Sequence, residues 1–256
     1  MRQTRKLKRK RRRRLKKGFK IFLIVLISAV AAVMIVMYGF QLQTVKTSLD
    51  LGQFTDKEVK AYMDAKGIDN TLILWLKNKT GHSTEMELLE EYDVKLLSPF
   101  GVQISGYEKK LKGVIAQDGL YYYFDEHGTV LKIGEERLEN IPKITGLECK
   151  ELKLYQKIKA VDEKALESVL DVASEVEQYN YRVKKITINK LLEVSMYIKK
   201  LQVQLGKNIS IDKKLQAFHD MYSQVIEQKG ILNMKHVSED GSYTVKKSQE
   251  KTQQNK

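Results

Sequence analysis

The side chains able to do chemistry are few and scattered. The four histidines, His82, His127, His219 and His236, stand far apart, with neither an HExxH pair nor paired Cys/His spacing. Metal ligation needs such convergence, so no metal site is expected. Cys149 is the only cysteine, which excludes an internal disulfide. Phosphate-cradling glycine loops and the GxSxG elbow are absent, and no cofactor or small-molecule substrate is implied. One pattern invites a test. Ser210-Ile211-Asp212-Lys213 matches SxxK and Lys79-Thr80-Gly81 matches KTG, the motifs of penicillin-binding enzymes. There SxxK comes first; here the order is reversed and the middle motif is missing. Adjacent carboxylates, Glu90-Glu91 and Glu135-Glu136, do not converge on a substrate. Tyr121-Tyr122-Tyr123-Phe124 alternates faces in a strand and reads as sheet packing rather than base stacking. No catalytic residue is assigned, and the chain is expected not to be an enzyme.

The element that positions everything else is Ile21 to Phe40, a stretch without one charge. At ~1.5 Å per residue, twenty residues span ~30 Å, the hydrocarbon thickness of a bilayer. Before it, between Arg2 and Lys17, lie twelve Lys and Arg and no acid. Such a flank resists translocation, so the N-terminus is expected in the cytoplasm and the remainder outside. A cleavable signal peptide competes through Ala29-Val30-Ala31. However, that site falls in mid-run, and signal cores are only ~7–15 residues long. The reading is an uncleaved single-pass anchor. Of 46 basic residues 13 precede Phe40, leaving 33 against all 32 acids, so the net charge of +14 is almost wholly a juxtamembrane patch. Its expected contact is anionic lipid, not nucleic acid.

Beyond the span, Gln41 to Leu51 alternates as a first strand. Thr55 and Glu58 form a capping box ahead of Val59, Tyr62 and Met63 on one helix face, and Gly67 ends that helix. Leu72 to Leu76 is a strand or the start of a helix, and Thr84 to Glu91 reads as a second short helix. Strands follow at Tyr92–Leu97, Val102–Tyr107 and Leu111–Ala116, with Pro99 breaking the run and Gly106 a bulge or break. Leu120–Phe124 and Thr129–Ile133 form a hairpin around Asp125-Glu126-His127-Gly128, and Ile141–Leu147 is a non-helical connector. A helix from about Asp162 to Gln178 precedes strands at Val183–Ile188, Leu192–Ile198 and Leu201–Leu205. A second amphipathic helix is capped by Asp212 and closed by Gly230. Two last strands, Ile231–Val237 and Ser242–Lys247, flank the turn Glu239-Asp240-Gly241. The fold class expected is α+β: one N-terminal transmembrane helix, a small α+β module, and a second antiparallel β domain with two amphipathic helices. The segments are 1–20 basic tail, 21–40 transmembrane helix, 41–112 module, 113–247 β domain and 248–256 disordered tail.

In this order of parts the chain resembles the FtsQ/DivIB family of bacterial cell-division proteins. FTDKEVKAYM is similar to the first helix of the family's POTRA domain. SPFGVQISGYEKKLKGVI resembles the exit from that domain through Pro99, Val102, Ile104, Glu108, Lys109 and Gly113. YYYFDEHGTVL is similar to the family hairpin through Tyr123, Phe124, Asp125, Gly128 and Val130, and IPKITGL to its connector through Pro142, Ile144 and Gly146. VQLG and KGILNM resemble the end of its β domain. The chain departs from the family around Val45 to Leu51 and at Asn233, where members often carry Asp. The resemblance implies a non-enzymatic divisome scaffold at the septum that binds FtsL and DivIC/FtsB-type partners outside the cytoplasm. Such a scaffold helps regulate septal peptidoglycan synthases. Family members use the last strand for the FtsB-type partner, which points to Tyr243, Thr244 and Val245, with Leu232 and Met234 of the neighbouring strand. An exposed edge strand suits that role; the competing reading is that these residues only close the core. A membrane-tethered wall-modifying enzyme and a POTRA-type chaperone are the alternatives.

Overall fold

The computed structural model describes residues 17–236 and 245–246. The basic tail before Lys17, most of the expected terminal strand and the C-terminal tail lie outside the described residues. The chain divides into two compact units, Met1–Glu108 and Lys109–Lys256.

In the first unit, α1 (Lys17–Gly39) is apolar on every side and buries none of its residues, as a helix facing hydrocarbon does. After it come β1 (Thr44–Leu49), α2 (Asp56–Ala65), α3 (Thr71–Lys79), β2 (Leu89–Ser98) and β3 (Gly101–Glu108). The sheet order is β1-β3-β2, with β1 parallel and β2 antiparallel to the central β3. The capping box forms: the Thr55 side chain accepts from Glu58 N, and the Glu58 carboxylate accepts from Thr55 N at 2.8 Å. Val59, Tyr62 and Met63 are the buried face of α2. Leu72 to Leu76 lies in α3, because Asn70 caps it by accepting from Ile73 N at 3.0 Å.

The expected helix over Thr84 to Glu91 is absent. Residues 84–88 run as an irregular segment into β2. Met86, Leu88 and Leu89 are buried as part of this segment's descent into the core, not as a helix face. Glu87 is held by the Tyr62 hydroxyl and by Lys66, whose Nζ lies 2.5 Å from Oε1. The β-α-α-β-β order therefore holds with its second helix placed earlier. Gly106 neither breaks nor leaves β3. A Cβ there would strike the backbone of Glu91 and Tyr92, so the bare residue permits close strand approach. Glu108 is buried, and its carboxylate accepts from Gln53 N and Phe54 N, both at 2.9 Å.

The second unit holds β4 (Gly113–Gln117), β5 (Leu120–Phe124), β6 (Val130–Gly134), β7 (Lys143–Thr145), β8 (Cys149–Glu151), β9 (Lys159–Ala160) and α4 (Glu163–Gln178). It continues with β10 (Val183–Ile188), β11 (Val194–Ile198), β12 (Leu201–Gly206), α5 (Ile211–Val225), β13 (Gly230–Asn233) and β14 (Val245–Lys246). Nine strands form one sheet, ordered β14-β13-β12-β11-β10-β7-β4-β5-β6. Hairpins make its antiparallel parts, and β7–β4, β7–β10 and β12–β13 pair in parallel. The segment 141–147, expected as a connector, supplies β7 at the middle of the sheet. Helices α4 and α5 cover one face, burying Leu166, Val169, Val172, Leu215 and Phe218 against Ile186, Met196, Val203 and Leu232. Tyr123 and Phe124 are buried on opposite faces, as their alternation requires. The Tyr123 hydroxyl donates to Glu136 O (3.0 Å) and accepts from Leu138 N (2.7 Å), pinning loop 135–142 over the other face.

Two expectations about α5 need correction. Asp212 does not cap it: the helix starts at Ile211, after Ser210 in the left-handed region (φ 52°), and Asp212 sits in the first turn. Gly230 opens β13 rather than closing the helix.

Candidate functional site

The last strands are set by α5. It carries the chain from β12 back to β13, which lies parallel to β12 with Gln202 beside Ile231, Val203 beside Leu232 and Gln204 beside Asn233. Alternation then decides what each residue can reach. Leu232 and Met234 point under α5 and are fully buried. Their side chains close the core. Ile231, half-buried, and Asn233, exposed, face the uncovered side. β14 pairs antiparallel with β13, placing Lys246 beside Ile231 and Val245 beside Leu232. Among the described residues β14 stands at one end of the sheet, and β6 at the other. Tyr243 and Thr244 lie outside the described residues.

The uncovered face next to this edge carries two registered rows. Thr145, Thr187, Ser195, Gln204 and Asn233 form an uncharged polar row, and Lys143, Lys185, Tyr197, Gln202 and Ile231 lie beside it. Lys185 Nζ stands 4.1 Å from the Tyr197 ring centroid, a cation–π contact. A groove of about 300 Å³ is lined by Thr187, Asn189, Glu193, Gln202, Gln204 and Lys235 among others. Glu193 accepts from Lys235 Nζ at 2.8 Å and Asn189 Nδ2 at 3.1 Å. Lys235, then Asn189, hold its carboxyl below the usual range. At neutral pH Glu193 is therefore an ionised, paired acceptor with no proton to give.

Elsewhere the candidate chemical groups resolve into packing. Among the described residues no group of three or more His, Cys, Asp or Glu is arranged to hold a metal. Burial pushes the Cys149 thiol up to about 11, so it is not a thiolate nucleophile at neutral pH. Of the SxxK residues, Lys213 is exposed and Ser210 begins the α5 turn. Sequence reasoning passed over its neighbour Lys214, which is buried and donates to Leu205 O (2.7 Å) and Lys207 O (3.2 Å). Burial lowers its pKa, and its work is to tie down the turn before α5. His219 is exposed, against Tyr179 and with Nδ1 3.1 Å from the Tyr181 hydroxyl. The arrangement offers a polar sheet face and, among the described residues, a terminal strand, β14, at its edge.

The family model described as "FtsQ/DivIB, C-terminal related" matches residues 111–239. This chain belongs to the FtsQ/DivIB family. The match runs from just before β4 through β13, and so includes every strand of the large sheet except β14. Several residues that carry the family resemblance serve the backbone. Asp125 is buried and accepts from His127 N (3.0 Å) and Thr129 N (2.8 Å), shaping the β5–β6 turn. Gly146, at φ 85°, passes so close to the Ile188 carbonyl that a Cβ would overlap it. As an FtsQ/DivIB protein the chain has a role in cell division and septation, and its apolar N-terminal helix is suited to membrane anchoring. No curated protein matches the sequence.

Proposed function

We propose that this chain is a non-enzymatic divisome scaffold. It is fixed once in the cell membrane, with a cytoplasmic basic tail on anionic lipid (1–20), a span (21–40) and an extracytoplasmic part. That part is a POTRA-like module (41–112), a β domain (113–247) and a short tail (248–256). The reading is carried by the family match over 111–239 following an exposed apolar helix of bilayer length. Its partners are of the FtsL and DivIC/FtsB type, and through them it helps regulate septal peptidoglycan synthesis.

The partner contact is the β14 edge. A strand at the end of a sheet presents unpaired backbone groups, and a partner strand added there gains affinity from main-chain hydrogen bonds. Selectivity comes from Ile231 and Asn233, which face away from the helices, together with the expected contact residues Tyr243, Thr244 and Val245. Leu232 and Met234 contribute by holding the edge in place.

Depletion should leave cells undivided or filamentous without loss of wall-hydrolytic activity in extracts. The full chain, isolated from detergent-solubilised membranes, should carry small single-pass partners that a chain ending at Glu239 does not. Retention of every partner after that truncation would refute the edge contact. Turnover of a wall fragment by the purified protein would refute the scaffold.

A further inference from the structure

The end of α1 is not free. The last carbonyls of a helix have no partner within it. Here two carbonyls near its end, those of Val36 and Phe40, are taken by the start of α3. Asn70 Nδ2 donates to Val36 O at 2.8 Å, and Thr71 N donates to Phe40 O at 2.8 Å. Thr71 Oγ1 donates to Pro99 O at 2.6 Å, and Leu42 N to Asp69 O at 2.7 Å. Phe100 O accepts from Gln43 N and Thr44 N at 2.8 and 3.1 Å. The start of α3 and the β2–β3 turn are thereby fastened to the point where the anchor ends.

The side chains around that point are apolar and uncovered. Ile73 is 45% and Leu76 53% exposed on α3, while Leu97 is 47% and Phe100 43% exposed beside the turn. Between residues 41 and 108 the only other exposed large apolar residues are Leu51 and Tyr107, at the far end of the sheet, where Leu49 pairs with Gly106. Trp75 is half-buried, and the helix ends in Lys77 and Lys79. An apolar flank with an aromatic residue and terminal lysines is the composition of an interfacial helix.

Distance selects the occupant. With α1 filling the hydrocarbon, Phe40 lies at its boundary, and Thr71 is hydrogen-bonded to it. At ~1.5 Å per residue Ile73 is ~3 Å and Leu76 ~8 Å further along α3, whatever that helix's tilt. The headgroup layer on one side is ~5–8 Å thick. We infer that the exposed flank of α3 and the Leu97–Phe100 turn are a seat in the headgroup layer of the bilayer, which fixes the pose of the first unit against the membrane. This rests on the reading of α1 as a membrane anchor.

Trp75 is the only tryptophan, so the chain carries its own probe. Full-length protein is reconstituted in phosphatidylethanolamine–phosphatidylglycerol vesicles containing lipids brominated at different depths. Trp75 emission should fall most with bromine nearest the headgroup, and the spectrum should move to the blue relative to the Ile73→Ser/Leu76→Ser variant. A second chain, Ile27→Trp with Trp75→Phe, should be quenched most by bromine near the bilayer centre. If Ile27→Trp is quenched while Trp75 responds only to aqueous iodide, the seat is refuted and the anchor stands. If Ile27→Trp is not quenched, both fail. Shielding of Trp75 from iodide only after a protein partner is added refutes the lipid seat in favour of a protein contact.

Discussion

Gly146 offers the sharpest test of the packing argument, because Gly119 supplies its control. Both take positive φ, 85° and 80°. An alanine in that region costs about 1–2 kcal/mol, partly offset by about 0.4–1 kcal/mol from the less flexible unfolded chain. Gly119→Ala meets nothing within 4 Å, so its net effect should be about 0–1.6 kcal/mol, centred on ~1, by those two terms. Gly146→Ala adds a clash with the Ile188 carbonyl, a backbone atom of β10 that no rotamer can move. Relief requires β7 and β10 to part along the register Lys143–Lys185, Ile144–Ile186 and Thr145–Thr187. Two ladder bonds at about 1 kcal/mol each bring the total to about 3 kcal/mol. With a urea slope of about 1.5–2 kcal/mol/M, the midpoint of the second unit should fall by about 1.5–2 M. Far-UV circular dichroism of the chain from Gln41 onward reads that transition. Trp75 fluorescence reports the first unit and should not move. Equal shifts for the two variants would refute the steric argument.

Other outcomes follow from single contacts. Asn70→Ala removes both the α3 cap and the bond to Val36 O, and should lower first-unit stability by about 1–2 kcal/mol, read by Trp75 in urea. Glu87 is pushed up by burial but brought below its ordinary value by Lys66 and Tyr62. Its contribution to stability is therefore full above the usual glutamate pKa of about 4.3 and is lost as pH falls through the lower folded value. Glu87→Gln should flatten that part of the acid-unfolding curve. Tyr123→Phe leaves Leu138 N without its acceptor and should cost about 1–2 kcal/mol, with faster amide exchange at Leu138. Leu232→Ala should destabilise the second unit by about 2–4 kcal/mol. Ile231→Ser should leave the melt nearly unchanged and weaken partner capture; the reverse pattern would invert the assignment of faces.

Local chemistry was readable in the sequence where it acts over a few residues. The Thr55–Glu58 box and the α2 face need only neighbours, and the structure reproduces them. Met86, Leu88 and Leu89 looked like a helix because three apolar residues in four positions mimic a face. What buries them is a segment held at Glu87 by Tyr62, twenty-five residues away, and no window sees that. β7 is three residues between Pro142 and Gly146, too short for any period to show, and the strands on both sides decide its existence. At the candidate edge the choice of Leu232 and Met234 followed hydrophobicity. In a half-covered strand that criterion selects the residues facing the helices and passes over the outward-facing Ile231 and Asn233, which are proposed here as contacts. Alternation alone could have flagged them, once one face was known to be covered.

The three residues of β7 have a mechanical consequence. Force applied by a partner pulling on β14, and resisted where the chain enters at β4, crosses the sheet only through Lys143–Thr145 and the short ladders on either side of it. Every other join in that load path, apart from the β14 edge itself, has at least four registered residues. Under tension the interior of this sheet should therefore tear first at its centre. A constricting septum would then meet a body with a built-in rupture line, set by a stretch of only three residues.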